Sequence, residues 1–82
     1  FEAIEDVEDF NILIKAIKWK VGVTFVYTKA DGSSKKVLVD PYRLANFQNY
    51  WYLIAYGPSV KILKTYYFKN ISELTMLYEN FT

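Results

Sequence analysis

Aromatic rings and ammonium groups are the residues of this chain best able to do chemistry. Trp51, Tyr52, Tyr56, Tyr66 and Tyr67 fall in two short segments and are interleaved with Lys61, Lys64 and Lys69. Flat π faces that stack bases, set beside cations that contact phosphates, are the usual means of holding a nucleotide or a single strand, with stacking worth roughly 1–3 kcal/mol per base. Other chemistries lack their residues. The sequence has no His, so Ser33, Ser34, Ser59 and Ser72 have no imidazole to activate them, and no Gly-x-Ser-x-Gly elbow surrounds any of them. Beyond the acidic first nine residues only Asp31, Asp40, Glu73 and Glu79 remain, too scattered for a carboxylate pair or an oxygen-ligand metal site. Gly22, Gly32 and Gly57 stand alone, so there is no glycine-rich phosphate loop. The expectation is a binding module with no catalytic residue, no metal and no cofactor. Asn70-Ile71-Ser72 and Asn80-Phe81-Thr82 match the glycosylation sequon and read as chance matches.

The frame that carries these residues is small. Eighty-two residues, 52% apolar and 20% aromatic, make one folded domain over 1–82, with residues 1–8 as an acidic lead-in. There is no Cys, which points to a reducing cytoplasm and excludes a disulfide frame. The longest uncharged apolar run, Tyr50 to Tyr56, is seven residues, against about 20 for a bilayer-spanning helix. No membrane partner is expected. The chain begins at Phe1 and shows no signal peptide, so it reads as a piece of a longer protein. A net charge of +1 conceals an asymmetry: residues 1–9 carry −5, residues 10–70 carry +8 and residues 71–82 carry −2. A basic middle favours an anionic partner.

Phe10, Leu13, Ile14 and Ile17 fall at i, i+3, i+4 and i+7, which predicts a helix from Val7 or Asp9 to Lys18, capped by Asp6 or Asp9. The period then changes to two. Val21, Val23, Phe25 and Tyr27 alternate with Gly22, Thr24 and Val26, as in a strand with one buried face. Asp31-Gly32 predicts a two-residue hairpin turn, and Lys35 to Asp40 a returning strand stopped at Pro41, which cannot donate to a ladder. Tyr50 to Tyr56 reads as a central strand with both edges paired, because so apolar a segment on an open edge invites aggregation. Gly57-Pro58-Ser59 makes a turn, Val60 to Phe68 the next strand and Ile71 to Tyr78 a last short strand, with Phe81 as an apolar plug. One helix and five short strands predict a small closed antiparallel barrel, since closure removes the edges. Most of the sixteen aromatics must fill its interior. Tyr67, flanked in strand alternation by Thr65 and Lys69, is the ring most clearly directed outward.

Tyr50-Trp51-Tyr52-Leu53-Ile54-Ala55-Tyr56 contains Trp-Tyr-Leu, and with its surroundings it resembles the WYL domain, a ligand-sensing module of bacterial transcription regulators. Ile14-Lys15-Ala16-Ile17 is similar to the family's opening helix, Val23 to Tyr27 to its first strand, and Val39-Asp40-Pro41-Tyr42-Arg43-Leu44 to its Pro-x-x-Leu segment. The resemblance implies a mostly β fold: an Sm-like, SH3-type five-stranded antiparallel barrel with one N-terminal α-helix. It also implies an N-terminal DNA-binding domain in the parent protein and a nucleotide or short single-stranded nucleic acid as ligand. The family's fourth strand runs Phe-Arg-Leu-Asp-Arg-Ile, whereas Tyr66-Tyr67-Phe68-Lys69-Asn70-Ile71 places Tyr67 and Asn70 at the two Arg positions. Neither replaces a guanidinium fork. Arg43, the only arginine, becomes the expected anion contact.

The resulting expectation is a ligand-binding site made of Arg43, Tyr52, Lys64, Tyr67 and Lys69. The alternative is an interaction module that has lost ligand binding and serves dimerisation with a second copy, or packing on the parent's DNA-binding domain. Loss of the two family arginines favours that alternative.

Overall fold

A computed structural model of the chain describes residues 6–57 and 62–80, with side chains placed as far as residue 77. Helix α1 spans Val7–Trp19 and buries Leu13 and Ala16, with Phe10 and Ile17 packed beside them. Ile14 is 45% exposed, so the buried stripe is narrower than the apolar spacing implies. Asp6 is the N-cap: its carboxylate accepts the Asp9 backbone N–H at 3.0 Å. Burial, followed by the nearby Asp6 charge, raises the Asp9 carboxyl above its usual range. The helix ends at Lys20, which takes the left-handed φ of 56° and turns the chain directly into the sheet. Removing the cap with Asp6→Ala should cost about 1 kcal/mol. In a domain of this size that lowers the thermal midpoint by roughly 4–8 °C, and an unchanged midpoint by circular dichroism would show that the cap contributes nothing.

Five strands follow: β1 Val21–Thr28, β2 Ser34–Phe47, β3 Tyr50–Tyr56, β4 Leu63–Tyr67 and β5 Ile71–Asn80. They form one antiparallel sheet in the order β4-β3-β2-β1-β5, so β3 is paired on both edges, as its composition requires. Between β4 and β5 lies a single 3-10 turn, η1, at Phe68–Asn70. Phe81 and residues 58–61, including part of the expected Gly57-Pro58-Ser59 turn and the start of the expected fourth strand, lie outside the described residues.

The structure corrects three expectations. Strand β2 does not stop at Pro41. Its first half pairs with β1 and its second half with β3, and the register slips between Pro41 and Arg43. Pro41 thus sits at a bulge where the strand changes partners, a position at which a missing N–H is tolerated. The β1–β2 turn is longer than two residues. Gly32 N–H donates to the Lys29 carbonyl at 2.9 Å and Lys29 N–H to the Ser33 carbonyl at 2.8 Å, leaving Gly32 at φ 87° in the left-handed region. A turn followed by a left-handed glycine is a three-residue hairpin loop. The sheet is also not closed into a barrel: β4 and β5 are its two ends.

It nevertheless folds back on itself. Strands β1 and β4 are not neighbours, yet the Tyr67 backbone N–H donates to the Tyr27 hydroxyl at 3.0 Å, and the Tyr66 ring meets Phe25 and Tyr27 edge-on at 5.2 and 5.0 Å. A side-chain oxygen of β1 thus ties β4 across the fold where no backbone ladder joins them. Inside the fold lie Val21, Val23, Phe25, Val39, Leu53, Ala55, Tyr66, Phe68 and Ile71. Helix α1 covers one end, where Phe10 meets Trp51 at 5.1 Å and Phe68 at 5.5 Å, both edge-on.

Candidate functional site

Strand alternation and register decide which of the expected site residues share a surface. Tyr52 pairs with Ala45 on β2 and with Tyr67 on β4, so the two tyrosines lie side by side on the same face of the sheet. Their ring centroids are 5.7 Å apart at 44°. Leu53 and Ala55, the alternate residues of β3, are fully buried, so the face bearing Tyr52 is the outer one. Arg43 is exposed and pairs with Ile54, one row along on that face and diagonal to Tyr52. Arg43, Tyr52 and Tyr67 therefore form one surface.

Lys64 does not join them. It pairs with Ala55, whose side chain is on the core side, and so projects toward the inner face of the sheet. There it lines an open-mouthed cavity of about 350 Å³ with Tyr27, Lys29, Lys35, Val37, Thr65 and Tyr66. Burial, then the neighbouring Tyr27, pushes the Tyr66 phenol above its usual range, which keeps it protonated. Lys69 is exposed on η1, just past the end of β4. The expected five-residue patch is thus split by the sheet, with Lys64 on one side and Arg43, Tyr52 and Tyr67 on the other.

Sequence reasoning missed the rest of the outer surface. Tyr50 shares the face of Tyr52 by alternation, and its ring lies edge-on to Tyr67 at 5.8 Å. It is 48% exposed. Phe47 pairs with Tyr50 and is 64% exposed, and Tyr42, at the bulge, rests edge-on against Tyr56 at 5.9 Å. Counting in twos from Tyr52 finds Tyr50 and Tyr56. Phe47 and Tyr42 depend on the turn and the bulge. Among the described residues, no group of His, Cys, Asp or Glu could hold a metal ion, and no helix is long and apolar enough to cross a membrane.

The WYL domain profile matches residues 8–76, almost the whole of this frame. The chain belongs to the WYL domain family. Among solved structures, that of proteasome accessory factor B/C (PafBC) of Arthrobacter aurescens is similar to this WYL domain with a TM-score of 0.85 at 21% identity, covering 98% of this chain. The chain spans 13% of the length of that structure, and the likeness is one of fold. No curated protein matches the sequence. The family's signature residues divide between the two faces of β3. Trp51 packs on Phe10 and Leu53 is buried, so both serve the core, while Tyr52 points outward beside Tyr67. Of the three signature residues, Tyr52 is the one placed to meet a partner.

Proposed function

We propose that this WYL domain is the ligand-sensing part of a bacterial transcription regulator and binds a nucleotide or a short single-stranded nucleic acid on its outer face. The observation that carries this reading is the cluster of Tyr50, Tyr52 and Tyr67, with centroid spacings of 5.7–5.8 Å and Arg43 on the next row. One exposed ring, Tyr50, and two half-buried ones, Tyr52 and Tyr67, on adjacent strands offer a stacking surface that tolerates any base, and a guanidinium at its margin supplies a phosphate contact. Lys69 extends the cationic margin at the end of β4. In this reading a DNA-binding domain lies N-terminal in the parent protein, which works in the cytoplasm, and ligand on the outer face adjusts its affinity for DNA. The domain itself performs no reaction.

Fluorescence anisotropy with a labelled oligothymidylate, titrated at several salt concentrations, tests the proposal. Binding should weaken with salt, and Arg43→Ala should lower the affinity and flatten the log–log salt slope by about 0.7, the value for one lost single-strand phosphate contact. Lys15→Ala, on the exposed side of α1, should change neither. Absence of salt dependence, or equal effects of the two variants, would remove the localised site. A second reading is favoured by the exposure of Phe47 and Tyr42 at 64% and 55%: an apolar face of this kind also serves dimerisation. Sedimentation separates the two, because self-association without oligonucleotide binding fits dimerisation alone.

A further inference from the structure

We propose that the cavity on the inner face is a separate site for a small phosphate monoester of about nucleoside monophosphate size. It does not depend on the outer face binding anything.

Three cationic side chains reach this cavity from three places. Lys29 comes from the β1–β2 loop, Lys35 from the start of β2 and Lys64 from the start of β4. The hairpin register sets Lys35 directly opposite Tyr27, and the inward row of β1 runs from the buried Phe25 to Tyr27 and on toward Lys29. Lys64 continues the inward row of β4 beyond Tyr66. The core therefore ends in two tyrosines, and the lysines stand where the two folded halves of the sheet part. Among the described residues, no carboxylate lines the cavity. Asp31 of the hairpin has one oxygen engaged by the Ser33 N–H at 2.9 Å and the Ser33 hydroxyl at 2.6 Å, and the charge of Lys29 also acts on its carboxylate, so Lys35 and Lys64 are the cations this acid leaves uncompensated.

Three like charges around one opening repel each other, and a dianion relieves that repulsion. A phosphate monoester carries between −1.5 and −2 at neutral pH, with three acceptor oxygens for three ammonium groups. The Tyr27 hydroxyl accepts the Tyr67 N–H and so retains its own proton for donation. The volume sets the size of the guest. About 350 Å³ is at the lower end of small-molecule sites and exceeds what a bare phosphate fills. Val37 and the half-buried Tyr27 ring provide an apolar wall for the ester's organic group. A polymer would require a through-going groove, and the floor here is closed by Tyr27 and Tyr66 in edge-on contact.

The test is calorimetric titration of the chain with adenosine monophosphate, adenosine and inorganic phosphate as probes. The monophosphate should bind, adenosine should show no measurable binding, and phosphate should bind at least about tenfold more weakly than the ester. Lys35→Gln and Lys64→Gln, both at exposed positions that leave the core intact, should each weaken the ester about tenfold with an unchanged thermal midpoint. Lys15→Gln, on the exposed side of α1, should leave its affinity unchanged. Equal binding of adenosine and its monophosphate, or full affinity in both lysine variants, would overturn the proposal. Phosphate binding as tightly as the ester would overturn the role of the apolar wall. Loss of ester binding in Lys15→Gln would overturn its assignment to the cavity. Failure of oligonucleotide binding, in contrast, leaves this titration unaffected.

Discussion

If the outer face binds single strands as proposed, Tyr52→Ala and Tyr67→Ala should each lower that affinity about 5–150-fold, the equivalent of the roughly 1–3 kcal/mol that one stacked base contributes. The two rings are neighbours with centroids 5.7 Å apart, and Tyr67 is also held edge-on by Tyr50 at 5.8 Å. Removing either ring therefore disturbs the other, and the double variant should lose less than the sum of the single losses. Tyr52→Phe retains the π face and should retain most of the affinity. Tyr67→Phe should do so as well, because the tie between Tyr67 and β1 runs through its backbone N–H to the Tyr27 hydroxyl. Anisotropy titrations of the four single variants decide the matter. Alanine variants that bind within about twofold of the parent chain would show that the rings are not a stacking surface.

In the proposed reading, the same rings stand in place of the family's arginines. Where the family's fourth strand carries its first Arg, this chain places Tyr67 in ring contact with Tyr50 and Tyr52. Its second is Asn70, at the end of η1. An arginine fork binds phosphate with charge and fixed geometry, and a tyrosine at that point offers a π face with no charge. Affinity in this WYL domain should accordingly depend more on stacking and less on salt than in members that keep both arginines.

Local pattern made most of the elements legible. The change of period at Lys20 locates the helix end and the start of β1 to within a residue or two, and the composition of Tyr50–Tyr56 leads directly to a strand paired on both sides. The errors arise where a rule for one residue met a longer-range demand. Pro41 stops a ladder in an ordinary strand, but β2 changes partners there and needs no N–H at the bulge. The β2–β3 turn carries no glycine. Gln48 and Asn49 take φ 50° and 71°, the left-handed pair a two-residue hairpin needs, and nothing before them marks β2 as continuing to Phe47. The number of apolar strands implies barrel closure, whereas the β4 edge is met by the Tyr27 hydroxyl. The site suffered for a related reason. Lys64 and Tyr67 are three residues apart on β4 and so belong to opposite faces, a consequence of alternation alone. That Lys64 faces Lys29 and Lys35 follows only from the folding of the sheet, which no local pattern expresses.

Phe25→Ala is the single change with the largest expected effect on the fold. Phe25 is fully buried on β1, and its ring meets Tyr66 at 5.2 Å and Tyr27 at 6.4 Å, both edge-on. It thus stands between the two halves of the sheet at the point where no backbone ladder joins them. Truncating a buried Phe costs about 3–5 kcal/mol, from lost transfer energy plus the cavity left behind. A chain of 82 residues has a total stability of roughly 4–12 kcal/mol, so the variant is at the edge of folding. Its thermal midpoint should fall by about 12–40 °C. Leu38→Ala is the matched control: Leu38 pairs with Thr24 on the neighbouring row and is 48% exposed, so its loss should stay within about 0.5 kcal/mol. Denaturant titration of both variants followed by far-ultraviolet circular dichroism makes the comparison. If Phe25→Ala costs no more than Leu38→Ala, the folded-back halves are not packed through this ring. The inner cavity, whose floor is Tyr27 and Tyr66 braced by Phe25, would then lose its structural basis.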